Sequence, residues 1–144
     1  MTKEQLKEIA NELQTQDNRA TADPLFCVFE KEQICGMDPD YTDTYEWVLD
    51  YDSETIGDAD DLMRECELTE EQAENDDRFR KGYYIERDRF VNAHFTEKAA
   101  LEHIRINGHN LRKPFVYVTS LFRCNEMVGI RNALLEGKLC MAEA

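Results

Sequence analysis

Hydrophobic positions recur along this chain at two different periods, and the switches between them mark out its elements. Leu6, Ile9, Ala10 and Leu13 follow a helical spacing behind Thr2-Lys-Glu-Gln5, so residues 3 to 16 are predicted as an amphipathic helix opened by a capping box. After Pro24, the apolar run Leu25-Phe-Cys-Val-Phe29 reads as a buried strand, with Gln33-Ile-Cys35 as its hairpin return before Gly36. Tyr45, Trp47, Leu49 and Tyr51 then alternate with Glu46, Asp50 and Asp52, Val48 being the exception, which predicts a strand with one core face and one acidic face. Trp47 is therefore expected to be buried, with Tyr45 and Leu49 beside it.

The stretch from 53 to 77 is poor in large apolar side chains. It supports only two short helices, near 58–66 and 69–75, the second opened by Thr69 with Glu70 and Glu71 in its first turn. Tyr83 and Ile85 start another strand; Glu86-Arg-Asp-Arg89 breaks its phase, and Phe90 to Phe95 resumes extended structure after a bulge. Thr96-Glu-Lys-Ala-Ala opens a helix with Ala100, Leu101 and Ile104 on its buried stripe and Gly108 at its end. Phe115-Val-Tyr-Val-Thr119 is predicted as a central strand, and Asn125 as the cap of a last helix closed by Gly137 and Lys138. The order strand, helix, strand, helix from 89 to 136 implies a β-α-β unit, and the chain as a whole reads as one α+β domain over 1–144.

Composition adds two constraints. At 144 residues with 42% apolar residues, a core can form without disulfides or metal. Five cysteines with no C-x-x-C pair fit a reducing compartment and buried structural thiols, and they are expected to be reduced and metal-free. No apolar run opens the chain as a signal peptide would, and none reaches the length of a membrane span, so a cytoplasmic location is expected.

Charge changes the picture most. Between Asp38 and Asp77 lie seventeen Asp or Glu and one basic residue, Arg64, a net of −16 in forty residues, while the rest of the chain carries +2. An acid block of this kind faces cationic partners and opposes contact with nucleic-acid backbones or anionic membranes. The candidate partner-binding residues are Asp50, Asp52, Glu54, Asp58, Asp60, Asp61, Glu65, Glu67, Glu70, Glu71, Glu74, Asp76 and Asp77. Duplex DNA carries one charge per ~1.7 Å of axis, so sixteen charges match roughly 27 Å, or about eight base pairs. A DNA mimic is one expectation, a surface for another basic protein the second, and a solvated, partly disordered insertion the bland alternative. Neutralising Asp58, Asp60, Asp61, Glu70, Glu71 and Glu74 is expected to leave folding intact, because like charges repel in the free protein.

Candidate chemistry elsewhere is weaker. Asp38-Pro-Asp40-Tyr-Thr42 fits a D-x-D-x-T phosphoryl-transfer signature with magnesium, and Gly57-Asp-Ala-Asp60-Asp61 imitates its later acidic motif, but no β-α-β units separate the two. Asp50-Tyr-Asp52-Ser-Glu54 starts like an EF-hand loop, yet has Thr55 where glycine is needed and Asp61 where a bidentate Glu is needed. His94, His103, His109 and Cys124 lack the spacing of a zinc site. A secondary candidate loop, Asn107, His109, Asn110, Arg112 and Lys113, offers cations and amide donors to an anion; its bland reading is a helix-to-strand connection with Gly108 and Asn110 in left-handed turn geometry. No catalytic residue and no cofactor are assigned.

Phe95-Thr-Glu-Lys-Ala-Ala, Asn107-Gly-His-Asn-Leu111, Pro114, Tyr117-Val118, Ser120, Arg123, Asn125-Glu-Met127 and Ile130-Arg131, together with Gly36-Met-Asp-Pro-Asp-Tyr-Thr-Asp43, resemble a group of small uncharacterised accessory proteins of tailed bacteriophages and prophages. Cys124 is a minor departure, and the acid-rich middle is the least alike. The resemblance implies a phage accessory product in the bacterial cytoplasm and supplies no activity, cofactor or catalytic residue. Joined to the charge, it gives the functional expectation: a non-enzymatic protein that binds a basic surface of a host protein and inhibits or redirects it. Nucleic-acid-handling machinery, restriction and CRISPR defence included, is the target class, and a metal-dependent phosphoryl-transfer enzyme using Asp38 and Asp40 is the opposing reading.

Overall fold

The computed structural model describes residues 1–142 and shows an α+β fold. In chain order the elements are α1 (Lys3–Thr15), β1 (Pro24–Cys35), β2 (Tyr45–Leu49), β3 (Thr55–Gly57), α2 (Ala59–Cys66), α3 (Glu70–Glu74), β4 (Phe79–His94), α4 (Glu97–Asn107), β5 (Phe115–Ser120) and α5 (Asn125–Leu135). The strands form one sheet in the order β3-β2-β4-β1-β5. The contacts fall into two compact units: Met1–Lys31 with the chain from Asp88 onward, and the continuous segment Glu32–Arg87.

In the first unit, β5 pairs antiparallel with β1, Phe26 opposite Val118 and Val28 opposite Val116. The contacts Phe29 to Phe90, Glu30 to Arg89 and Lys31 to Asp88 step in opposite directions, so β4 also runs antiparallel to β1. β4 and β5 are thus parallel to each other, joined through α4, with β1 lying between them. The predicted β-α-β unit is present in this split form. Phe26, Val28 and Ala100 form the buried centre, with Val91, Ile104, Val116 and Val118 against it. A side chain of the size of Phe26, fully buried here, is worth about 3–5 kcal/mol against truncation to alanine.

The second unit carries β2 between β3 and the first part of β4. Its core is Trp47, Leu62 and Ala73, with Tyr45, Ile56, Cys66, Leu68 and Phe79 packed around them. Trp47 is 1% exposed and Tyr45 meets it edge-on at 6.0 Å, as the period-two pattern predicts. Both short helices exist despite their length because each has a complete capping box, Asp58 with Asp61 and Thr69 with Gln72, and each buries a residue, Leu62 or Ala73, completely. Gly57 is required for the first of these caps: it sits at φ +127°, and a Cβ there would lie 2.1 Å from a carboxylate oxygen of Asp61.

Several expectations are corrected. Gln33 to Cys35 do not turn back as a hairpin partner but continue β1. β2 ends at Leu49, and Tyr51, 82% exposed, sits in the turn that follows. Val48, read as facing away from the core, is itself buried. Glu86 to Arg89 do not interrupt β4, which runs unbroken from Phe79 to His94, because Arg87 and Arg89 find Glu32 and Glu30 at 2.7 and 2.8 Å. β5 is an edge strand, not a central one; Val116 and Val118 face the core while Tyr117 is 56% exposed. Cys124, not Asn125, precedes α5 as its cap, without a side-chain hydrogen bond. All five cysteines are free, and of them only Cys27 is buried.

Candidate functional site

The whole net charge of the chain lies on one of the two units. Glu32–Arg87 contains nineteen Asp or Glu and five Lys or Arg, a net of −14, whereas the rest of the chain has twelve of each. The acid block is built into ordered elements: β2, β3, α2, α3 and the turns between them. A partly disordered insertion is not what the structure shows.

Its carboxylates divide into two kinds. Asp58 accepts from the Asp61 N–H at 2.9 Å, and Asp61 reaches back to the Asp58 N–H at 3.2 Å while pairing with Arg64. The Asp58 N–H, followed by Arg64, holds the Asp61 carboxyl below its ordinary range. Glu70 accepts from the Trp47 indole N–H at 3.0 Å and from the Tyr45 hydroxyl at 2.8 Å. These two donors lower its pKa, Trp47 contributing most. Glu74 pairs with Lys81 at 2.8 Å and Asp50 with Arg80 at 3.3 Å. Asp76 is gripped by Arg78, with contacts of 2.6 to 3.2 Å to the guanidinium and 3.0 Å to the backbone N–H, which brings its pKa to about 2. Asp52 accepts from the Glu54 N–H at 3.0 Å inside the β2-β3 turn.

Asp58 and Asp61 serve as a helix cap and Glu70 as the acceptor for two core aromatics, so their replacement is expected to cost stability, whereas the exposed Glu74–Lys81 pair contributes little. The remaining candidates differ. Glu54, Asp60, Glu65, Glu67, Glu71 and Asp77 are exposed and have no side-chain partner among the described residues. They are the carboxylates a partner can reach without dismantling the unit. Periodicity could not have made this division, because the deciding groups for Glu70, Asp50 and Glu74, namely Trp47, Tyr45, Arg80 and Lys81, are brought in by strands β2 and β4.

The competing motifs resolve into turns. Asp38 Oδ1 accepts from the Asp40 N–H at 2.9 Å and the Asp38 carbonyl from the Tyr41 N–H at 3.0 Å, the pattern of a side-chain-stabilised turn after Gly36. Asp50 to Glu54 form the β2-β3 hairpin turn, closed by Leu49 N–H to the Glu54 carbonyl at 2.9 Å. Among the described residues no group of three or more His, Cys, Asp or Glu is placed to hold a metal ion. His94 and His103 lie 5.7 Å apart, ring to ring, with Asn92 contacting both.

The secondary loop is not gathered into one anion site. The Asn107 amide N–H donates to the His103 carbonyl at 3.1 Å at the end of α4; His109 lies exposed beside Asn110 in a single 3-10 turn, Gly108–Asn110. Arg112 is tied to β1: its N–H donates to the Glu30 carboxylate at 3.2 Å and its guanidinium to the Lys31 carbonyl at 3.3 Å. Gly108 is right-handed at φ −58°, and the left-handed residue of this connection is Lys113, at φ 45°. Comparison of the chain with protein-family models, with curated proteins and with solved structures yields no match.

Proposed function

We propose that the segment Glu32–Arg87 is an acidic binding module, and that the protein acts by docking it onto a basic surface of another protein. The observation that carries this is the partition of charge: −14 on one ordered unit and zero on the other. Charge scattered for solubility alone has no reason to segregate in this way, and a folded scaffold holds its free carboxylates in fixed positions, which raises on-rate and specificity. The phage resemblance implies a host protein in the bacterial cytoplasm as the partner. Basic clefts of nucleic-acid-handling enzymes, restriction and CRISPR effectors included, are the surfaces of matching chemistry.

The test is affinity capture from a bacterial host lysate, followed by a paired set of variants. Neutralising Asp60, Glu65, Glu67, Glu71 and Asp77 to Asn or Gln should weaken binding at least about tenfold and flatten its salt dependence, since screening acts over about 10 Å near 0.1 M salt. Neutralising Glu4, Glu8, Glu12, Glu126 and Glu136 on the neutral unit should do neither. Mutual exclusion with DNA at the captured protein identifies mimicry, whereas joint binding identifies a contact elsewhere on it. Affinity indifferent to both variant sets and to salt would refute the acidic-module reading.

A further inference from the structure

In the neutral unit the β5 edge of the sheet is left open. β5 ends the strand order with β1 as its one neighbour, and their pairing runs from Pro24 opposite Ser120 to Phe29 opposite Phe115 without a register shift. Just past the strand, the Leu121 N–H donates to the Asp23 carbonyl at 2.8 Å. In an antiparallel strand the N–H and C=O of one residue point to the same side, and the side alternates from residue to residue. Phe115, Tyr117 and Thr119 therefore bond to β1 as Leu121 does, and Val116, Val118 and Ser120 turn their backbone groups outward. No backbone group among the described residues meets them there.

Strands that remain single at an edge are ordinarily blocked by a lysine, a proline or a bulge. Phe115–Ser120 has none of these. Both of its faces are apolar. Val116 and Val118 pack against the core of Phe26, Val28 and Ala100. On the other face Phe29 gathers three rings: Phe115 stacked at 5.8 Å, Tyr117 edge-on at 5.9 Å and Phe90 edge-on at 5.8 Å. Tyr117 and Phe90 are still 56% and 54% exposed, so this aromatic surface runs uncovered up to the open edge.

Charge and symmetry select the occupant. β5 carries no charged side chain and its unit has no net charge, so a charged peptide gains nothing from it and a second copy meets no repulsion; the −14 of Glu32–Arg87, by contrast, opposes self-association through that segment. β5 is also complementary to itself. Turned about a two-fold axis through Tyr117, a second β5 runs antiparallel and sets Val116 opposite Val118, Phe115 opposite Thr119 and Tyr117 opposite its own counterpart. The valines stay together on one face and the aromatic rings on the other, and the outward N–H and C=O of Val116 exchange bonds with those of Val118 in the copy. We propose that β5 is a homodimer interface, at which two copies of this chain pair edge to edge in an isologous contact.

Sedimentation of the full-length protein over a range of concentrations should show the mass rising from monomer to dimer and stopping there, because an isologous contact is closed. Amide hydrogen exchange then locates the contact. Diluted to monomer, the Val116 and Val118 amides should exchange fast while that of Tyr117, bonded to β1, is protected; in the dimer all three should be protected. Tyr117→Lys sets like charges opposite each other at the axis and should raise the dissociation constant at least about tenfold. The exchange comparison uses the wild-type protein alone, so it stands even if the variant fails to fold. A monomer at every concentration would leave the edge to solvent or to a strand of another protein, and would overturn the proposal. Assembly beyond the dimer, a dimer whose Val116 and Val118 amides still exchange fast, or a folded Tyr117→Lys protein that dimerises like wild type would also overturn it.

Discussion

Glu70 was among the residues assigned to partner binding from sequence, and its position makes it a stability residue. In Glu70→Ala the indole N–H of Trp47, buried in the core of its unit, loses its acceptor, and the Tyr45 hydroxyl loses the same oxygen. A buried donor left unsatisfied costs about 1–3 kcal/mol, toward the upper end when the lost acceptor is charged, so about 2–3 kcal/mol is expected here. For a chain of this length that is a fall in Tm of about 5–10 °C. Trp47 is the single tryptophan, so its fluorescence during thermal or urea unfolding reports on this site directly. Glu70→Gln retains an acceptor oxygen and should lose only about 1 kcal/mol. The pH dependence supplies the sharper check. Glu70 has a folded pKa below its ordinary 4.5, so its contribution is present above that value and disappears as pH falls through the folded pKa. The deficit of Glu70→Gln should therefore be full near neutral pH and shrink in acid. An alanine variant melting within about 1 °C of wild type, or a glutamine deficit that persists unchanged in strong acid, would refute the assignment.

Three other outcomes follow from the geometry. The Asp76 carboxyl should titrate with a midpoint about 2 by carbon-detected NMR, and Arg78→Ala should move it back toward 3.8. His94, lowered first by burial and then by the neighbouring His103, should titrate below 6.5 and rise part of the way back in His103→Asn; because the unfolded chain takes up that proton more readily, its titration should erode stability as pH falls below 6.5. In the native protein a thiol reagent should modify Cys35, Cys124 and Cys140 rapidly and Cys27 only upon unfolding, burial having also raised the Cys27 pKa; early loss of the Cys27 thiol would place β1 outside the core.

Local chemistry was legible in the sequence and long-range chemistry was not. The capping box at Thr2 and the Thr96 cap announce α1 and α4 because a cap and its helix lie within a few residues of each other. The alternation around Trp47 announced a half-buried strand for the same reason. Glu86-Arg-Asp-Arg89 reads as a break because four charges in a row cannot be buried; the strand nevertheless continues because Glu30 and Glu32 lie more than fifty positions away and meet those arginines on an exposed surface. The edge position of β5 was hidden likewise, since FVYVTS is as apolar as a central strand and only the pairing order shows that one side is open. The acid block was evident from counting, but its division into structural and accessible carboxylates depends on partners supplied by β2 and β4.

The ends of the acidic segment meet. Glu32 and Arg87 are joined at 2.7 Å, and one residue outward on each side Lys31 and Asp88 are joined at 2.5 Å. A segment whose two ends are neighbours in space is a closed excursion of the chain, so its length can change without moving Lys31 and Asp88. Deleting Glu32–Arg87 and bridging Lys31 to Asp88 with a two-residue Asn-Gly turn asks nothing new of the antiparallel strands on either side. Residues between Glu32 and Arg87 can be shortened, extended or exchanged between the same two anchors, and the core of Phe26, Val28 and Ala100, which lies outside this segment, keeps its sequence.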